Sequence, residues 1–200
     1  MNFMRFLVSQ CYSWEGYHLV QALLEDGHEV SGLQEQTLSD RETHLSMYLG
    51  RHAMFREGVQ DTDYKAHVSF FGTAERSAES QQHVDISYAT DDTSEQEKQI
   101  LLPILYGEWM PRDEEAVEWN GKRMLFDDDY FHRNALPIKP VMQTISKLLS
   151  GDGNLDKYRF YTKEVCPEQE DRAAIALTRN IRNDLSALHK HYAQFRFFYE

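Results

Sequence analysis

Apolar residues in this chain fall into short blocks, and the spacing inside the blocks alternates between continuous runs and a helical repeat. Phe6, Leu7 and Val8 form an unbroken run within Arg5 to Ser9, the pattern of a strand covered on both faces. From Tyr17 onward Leu19, Val20, Leu23 and Leu24 share one helical face, Gly27 closes the helix, and Glu29 to Leu33 resumes as a strand. This is a βαβ unit, which implies parallel pairing and a right-handed crossover. Ser39 followed by Glu42 is a capping-box pattern and predicts a second helix carrying Leu45, Leu49 and Phe55 and ending near Gly58.

Three more strands are expected, over His67 to Phe71, Val84 to Tyr88 and Ile100 to Tyr106. Between the first two, "GTAERSAESQQ" has a helix-like composition with almost no apolar stripe; before the third, "TSEQEKQ" offers Ser94 and Glu97 as caps of a short helix. The alternation predicts an α/β fold with a Rossmann-like, doubly wound, mainly parallel sheet of about five strands. The following "GEWMPRDEEAVEWNGKRMLFDDDYFHRN" lacks clear periodicity, after which Pro140 opens a helix with Val141, Ile145 and Leu148 on one face, stopped by "GDG" at 151–153.

The C-terminal segment is the most regular in the chain. Pro167 sits at a first helical position, acids follow it, and Leu177, Ile181, Leu185, Leu188, Tyr192, Phe195 and Tyr199 recur at threes and fours, predicting one long helix of about eight turns. The organisation expected is therefore one domain over 1–200: a sheet core in 1–110, an irregular connection with one helix in 111–165, and the long helix in 166–200. Phe195, Phe197, Phe198 and Tyr199 crowd the last turn. That helix is thus expected to offer a contact surface to a second copy in a homodimer, to a protein partner, or to the sheet itself.

Charge and composition narrow the partners. A net charge of -12 with a pI near 5.2 argues against a nucleic-acid backbone binder and against an anionic membrane surface. The apolar runs are only a few residues long and no basic-then-apolar leader opens the chain, so no membrane span or signal peptide is expected and the location is expected to be cytoplasmic. Cys11 and Cys166 are the two cysteines, too few for a disulfide framework, and both are read as free thiols.

The ordered segments resemble the extended short-chain dehydrogenase/reductases, the NAD-dependent epimerase and dehydratase group. That family's strand, GxxGxxG turn and helix align without gaps onto Phe6 to Val30, where His18, Leu19, Val20, Leu23, Leu24, Gly27, His28, Glu29 and Val30 all fit. "HVDISYAT" is similar to the family's fourth strand, and "LLPILYGEWMP" to its sixth-strand R-x-P-x-x-YGP segment. About half of the chain is covered. The resemblance implies NAD or NADP, or a nucleotide sugar, in the crevice, with Ser9, Gln10, Tyr12, Ser13, Gly16 and Gln34 as the cofactor-binding positions.

Two departures from the family qualify that implication. The three glycine positions of the turn fall on Gln10, Ser13 and Gly16, so only the glycine that lets helix and strand pack closely is kept, while Cys11, Tyr12 and Trp14 add bulk where a diphosphate would lie. The ribose-binding acid is replaced by Gln34, with Glu35 beside it. The family's proton-exchanging pair is a tyrosine followed by a lysine four residues later, and no tyrosine here has one. The stretch between Ala89 and Tyr106 is about one short helix long, so the family's fifth strand, its flanking helices and its active site are expected to be deleted together.

Other chemistry-bearing groups carry weaker signals. Asp127, Asp128 and Asp129 with His132 have metal-ligand character, but such a run is more often solvated or helix-starting, and no metal is expected. His44 and His52 near Tyr48, His189 with His191, and Glu114, Glu115 and Glu118 read as ordinary surface groups. Cys11, beside a helix start, is either an activated thiolate or, more often, a buried thiol. Tyr12 and Trp14 either stack on a flat ligand or fill the vacated space, the second being favoured. The function expected is a non-catalytic ligand-binding or regulatory protein. The rivals are a nucleotide-dependent epimerase or oxidoreductase with a non-standard site, holding its ligand by Ser9, Ser13 and the amides near Gly16, and an interaction module acting through the C-terminal helix.

Overall fold

The computed structural model describes residues 3–34, 36–59, 63–72, 80–89, 99–151, 155, 157–166 and 174–199. In chain order the elements are β1 (Arg5–Ser9), α1 (Trp14–Glu25), β2 (Glu29–Leu33), α2 (Asp40–Leu49), β3 (Phe55–Glu57), β4 (Ala66–Phe70), β5 (His83–Tyr88), β6 (Gln99–Leu102), β7 (Leu105–Tyr106), β8 (Ala116–Trp119), β9 (Lys122–Leu125), α3 (Asp129–Asn134), β10 (Leu136–Pro137), α4 (Ile138–Ser150), β11 (Tyr158–Thr162), β12 (Ala174–Leu177) and α5 (Ile181–Phe195), followed by a 3-10 turn at Arg196–Phe198.

Eight strands form one sheet in the order β12-β11-β6-β5-β4-β1-β2-β3, and every neighbouring pair is parallel. The fold is thus α/β, with a large parallel sheet and a C-terminal helix. Its six strands from β3 to β6 follow the 3-2-1-4-5-6 order of doubly wound dinucleotide folds. Phe6, Leu7 and Val8 of the central β1 are fully buried, as a strand covered on both faces requires. The capping box of α2 is formed, with Ser39 Oγ accepting from the Glu42 amide and the Glu42 carboxylate accepting from the Ser39 amide.

Several expectations are corrected. The sheet has eight strands, not about five. The helix expected to run through Phe55 stops at Leu49, and Phe55 begins β3, where Phe55 pairs with Val30 of β2 and extends the sheet. The single strand expected over 100–106 is two: Pro103 has no amide to give the ladder, so β6 ends at Leu102 and β7 pairs with β10 in a separate two-stranded sheet. β5, the "HVDISY" strand, lies between β4 and β6 and completes the order.

The described residues between 111 and 165 hold more regular structure than expected. β8 and β9 form an antiparallel hairpin whose turn places Asn120 at φ 49° and Gly121 at φ 69°, the left-handed pair that an Asn-Gly turn supplies at low cost. β11 then extends the main sheet beside β6. The long C-terminal helix is replaced by β12, paired with β11, and the 15-residue α5 capped by Asn180. Ala174 to Leu177 was a short apolar run able to serve either element, and the open edge of β11 selects the strand. Helix starts expected at 73–79, at 93–98 and at Pro167 lie outside the described residues.

The apolar stripe of α5 faces inward: Leu185, Leu188 and Tyr192 are buried in the common core. Phe195, Phe198 and Tyr199 pack with Trp109, whereas Phe197 is left 79% exposed. α4 packs on α1, where Ser146 Oγ donates to Asp26 Oδ2 at 2.7 Å and Ser150 Oγ meets His28 Nε2 at 2.8 Å. Polar groups pair inside the sheet at two places near β1, with Ser9 Oγ 2.8 Å from His67 Nε2 and Tyr64 donating to Ser31 Oγ at 3.0 Å.

Two outcomes follow. Leu188→Ala removes a buried side chain of the monomer's own core and is expected to lower unfolding stability by about 2–3 kcal/mol, read from the urea midpoint, with the mass in solution unchanged. The second concerns acid. Burial pulls His18 and His67 down to about 4, with the His83 ring adding to the shift at His67, and it lowers His28, His44, His189 and His191 as well. Below about pH 6.5 the unfolded chain takes up protons that the native chain refuses, so stability is full above that pH and declines as pH falls toward 4. Glu15, raised by burial, acts in the opposite direction but is outnumbered. The urea midpoint is expected to be lower at pH 5 than at pH 7; an equal or higher midpoint at pH 5 would contradict the buried neutral histidines.

Candidate functional site

The turn after β1 is where a doubly wound sheet ordinarily receives a diphosphate, against the first amides of the following helix. Here Gln10 takes the left-handed backbone at φ 54° in the first of the glycine positions. Its carbonyl accepts from the Ser13 amide at 3.0 Å. Ser13, in the second position, caps α1, its Oγ accepting from the Gly16 amide at 3.0 Å, so one of the helix's free amides is already answered. Gly16 itself is a contact glycine: a Cβ there would stand 2.1 Å from the Gln10 carbonyl oxygen.

The bulky residues of the turn point inward. Tyr12 is buried, donates its hydroxyl to Glu57 Oε1 and packs beside Phe55. Trp14 is buried and donates Nε1–H to the Glu108 carbonyl at 2.8 Å, with its ring edge against His18. Cys11 is fully buried against Gly32, where a Cβ would lie 2.6 Å from its Sγ. Burial, reinforced by the Glu57 carboxylate, pushes this thiol up to about 12, so it is a buried thiol rather than a thiolate at a helix start. Ser9 is occupied by His67. Gln34, at the end of β2, has its amide Oε1 buried without a partner among the described residues, and Glu35 lies outside them. The structure therefore brings Ser9, Gln10, Tyr12, Ser13 and Gly16 into one turn whose polar groups bond within the chain.

Open space lies elsewhere along the same edge. A cavity of about 500 Å³ opens between the end of β7, the first turn of α4 and the start of α5, lined by Tyr106, Glu108, Lys139, Arg179, Asp184 and Leu188 among others. Tyr106 donates its hydroxyl to Asp184 Oδ2 at 2.7 Å. Burial first, and then the Asp184 carboxylate, raise this phenol well above its ordinary range, with the Arg179 guanidinium opposing them. Arg179 has a side chain only 5% exposed. Its Nη2 donates to the His132 carbonyl and lies 3.4 Å from Glu164 Oε2, while Nε and Nη1 have no partner among the described residues. Lys139 is paired with Glu108 at 2.7 Å.

Arg179 and Asp184 were not anticipated, because a continuous helix through 167–199 would have placed them on its exposed flank. Their only sequence signal is the break in polarity at "TRN", which becomes legible once β12 is known to end at Leu177. The remaining polar clusters have structural partners. Asp128 caps α3 by accepting from the Tyr130 and Phe131 amides, and among the described residues no group of three or more metal-ligating side chains occurs. His44 stacks on Phe198, and His189 meets Phe126 while His191 meets Trp109 and Tyr199. Glu114 pairs with Arg196. No helix among the described residues is long and apolar enough to cross a membrane.

No family model matches this chain, and no curated protein matches it. Solved structures do. The UDP-N-acetylglucosamine 4-epimerase from Bacillus cereus superposes with a TM-score of 0.51 over 94% of this chain and 98% of that one, at 11% identity. The Bordetella bronchiseptica enzyme WbmG, solved in complex with NAD and UDP, superposes with a TM-score of 0.56 over 97% of this chain and 95% of that one, at 10% identity. At such identities the likeness is one of fold: this chain has the Rossmann-like architecture on which those two enzymes are built.

Proposed function

We propose that this protein is a non-catalytic ligand-binding or regulatory protein built on the epimerase-like Rossmann fold, acting in the cytoplasm. The observation that carries the reading is the burial of Tyr12 and Trp14 inside the turn that would cradle a pyrophosphate. With Ser13 on the Gly16 amide and Tyr12 on Glu57, a dinucleotide could enter only by breaking the cap of α1 and the tie from the turn to β3. Two further observations support it. No tyrosine is followed by a lysine four residues on. Tyr106, the phenol of the "LYGEWMP" segment, donates to a carboxylate, which holds its proton on rather than helping it leave.

The ligand is placed in the 500 Å³ cavity at Tyr106, at the carboxyl ends of the strands, where doubly wound folds bind small molecules. That WbmG was solved with NAD and UDP favours a nucleotide as the class to try first, with UDP, the smaller of the two, the better candidate for a cavity of this size.

A thermal-shift and turnover experiment tests this. Oxidised and reduced NAD and NADP at millimolar concentration are expected to leave the melting temperature unchanged, and mixtures of NAD with nucleotide sugars are expected to form no reduced cofactor. UDP or a UDP-sugar in large excess over its dissociation constant is expected to stabilise the fold by about 2–3 kcal/mol. Cofactor reduction that disappears in Tyr106→Phe would replace this reading with an oxidoreductase using a non-standard site.

A further inference from the structure

A second cavity, of about 410 Å³, lies between the start of α2, the segment after β7, the β8–β9 hairpin and the C-terminal turn, and it shares no lining residue with the cavity at Tyr106. Three arginines border it, Arg41, Arg112 and Arg123, together with Asp113, Glu118 and Tyr199. In a chain of net charge -12, three guanidinium groups around one hollow call for an account of what neutralises each.

Arg123 is neutralised. Its Nε donates to Asp113 Oδ2 at 2.8 Å and its Nη2 lies 3.4 Å from Glu115 Oε2. Asp113 is used up in turn, its other oxygen accepting from the Glu115 and Ala116 amides at 2.8 Å each. Tyr199 is also engaged, its hydroxyl 2.8 Å from both the Trp109 amide and His191 Nδ1.

Arg112 is held but not neutralised. Its guanidinium lies between two rings, 4.4 Å from the centroid of Phe126 and 4.5 Å from that of Tyr192. Nε and Nη2 donate to the backbone carbonyls of Asp113 and Glu114 at 2.7 and 3.2 Å, while Nη1 is buried with no acceptor. A buried charged donor without an acceptor is costly, and here it belongs to a group whose plane is fixed from both faces.

Arg41 is neither held nor neutralised. It makes no hydrogen bond or ion pair among the described residues, and its Nε is buried without a partner. As the second residue of α2 it is also a cation at the positive end of a helix, so the helix supplies no reason for its presence. Glu15 feels its field, although the direct partner of that carboxylate is the Tyr88 hydroxyl. Of the carboxylates bordering the cavity, only the exposed Glu118 is without a cationic partner among the described residues.

We propose that this cavity is a binding site for a small phosphate monoester, its phosphoryl group received by Arg41 in the field of the fixed Arg112 guanidinium. Guanidinium groups suit this role because their planar donors match phosphate oxygens and their charge persists at every physiological pH. The volume exceeds what inorganic phosphate fills and falls in the range of small-metabolite pockets, about 300–1,000 Å³, so the organic portion has room against the hairpin. This site does not depend on the reading of the Tyr106 cavity.

The test is isothermal titration of the full chain with inorganic phosphate, ribose 5-phosphate and succinate, against chloride at matched ionic strength. Saturable binding of ribose 5-phosphate, tighter than that of inorganic phosphate, is expected. Arg41→Gln, a polar replacement at a half-buried position with no hydrogen bond to lose among the described residues, should keep the native circular dichroism and is expected to weaken both at least tenfold, about 1.4 kcal/mol. Arg112→Lys is expected to weaken them as much, since an ammonium cannot keep the flat edge between the two rings; should that variant unfold, Arg41→Gln decides alone. No saturable heat with either phosphate at millimolar concentration, or equal affinity in wild type and Arg41→Gln, would overturn the proposal. Succinate binding as tightly as ribose 5-phosphate would overturn the phosphoryl assignment in favour of a carboxylate.

Discussion

The joint between β1 and α1 depends on how closely the first turn of α1 approaches the carbonyl of Gln10. With any side chain at position 16 the helix would have to retreat, since a Cβ would lie 2.1 Å from that oxygen. Close seating lets α1 bury both flanks, and the rest follows from it. Its far end receives α4 through Asp26 and His28, and its first residue, Trp14, fixes the segment after β7 by donating to the Glu108 carbonyl. In a dinucleotide-binding turn the same closeness serves the ligand, with small residues leaving the amides free to face phosphate. Here Ser13 answers one amide and Tyr12 and Trp14 occupy the volume, so the turn joins parts of the protein to one another.

The segment after β7 is held a second time, from the C-terminus. Trp109 sits in the left-handed region at φ 64°, which costs a bulky residue of the order of 1 kcal/mol or more. Its neighbours offset this. The Trp109 amide donates to the Tyr199 hydroxyl at 2.8 Å, the indole stacks on the Tyr199 ring, and Phe195, Phe198 and His191 close around it. Aromatic contacts of this kind add about 0.5–1.5 kcal/mol each beyond area burial. The end of the chain therefore shapes both cavities, since Leu188 of α5 lines one and Tyr199 lines the other.

What could be read from the sequence was what depends on neighbouring residues. The βαβ unit, the closing Gly27, the Ser39–Glu42 cap and the crowded turn at Cys11, Tyr12 and Trp14 all arise within a few positions of one another. What escaped depends on distant partners. Phe55 leaves the helix because Val30 offers it a strand partner, and Ala174 to Leu177 becomes a strand because β11 presents an edge. The β8–β9 hairpin is a different case: Asn120-Gly121 was a local signal, hidden in a segment whose charges masked the alternation beside it. The cavities were least legible. Tyr106 meets Asp184 across 78 positions, and Arg41 and Arg112 border one cavity from different segments, so no spacing rule joins them.

The electrostatics of Tyr106 bear on what its cavity can do. A phenol exchanges a proton near neutral pH only if a nearby cation stabilises the phenolate. Tyr106 has the reverse arrangement. Its proton is shared with the Asp184 carboxylate, and losing it would set two negative charges at hydrogen-bond distance in a half-buried site, a strongly unfavourable state at reduced dielectric. Arg179 is the cation that could relieve this, but its Nη2 is turned to the His132 carbonyl and Glu164, and burial and Asp184 outweigh its effect on the phenol. A ligand arriving there meets apolar walls and an already engaged donor. That combination disfavours proton exchange at the phenol itself.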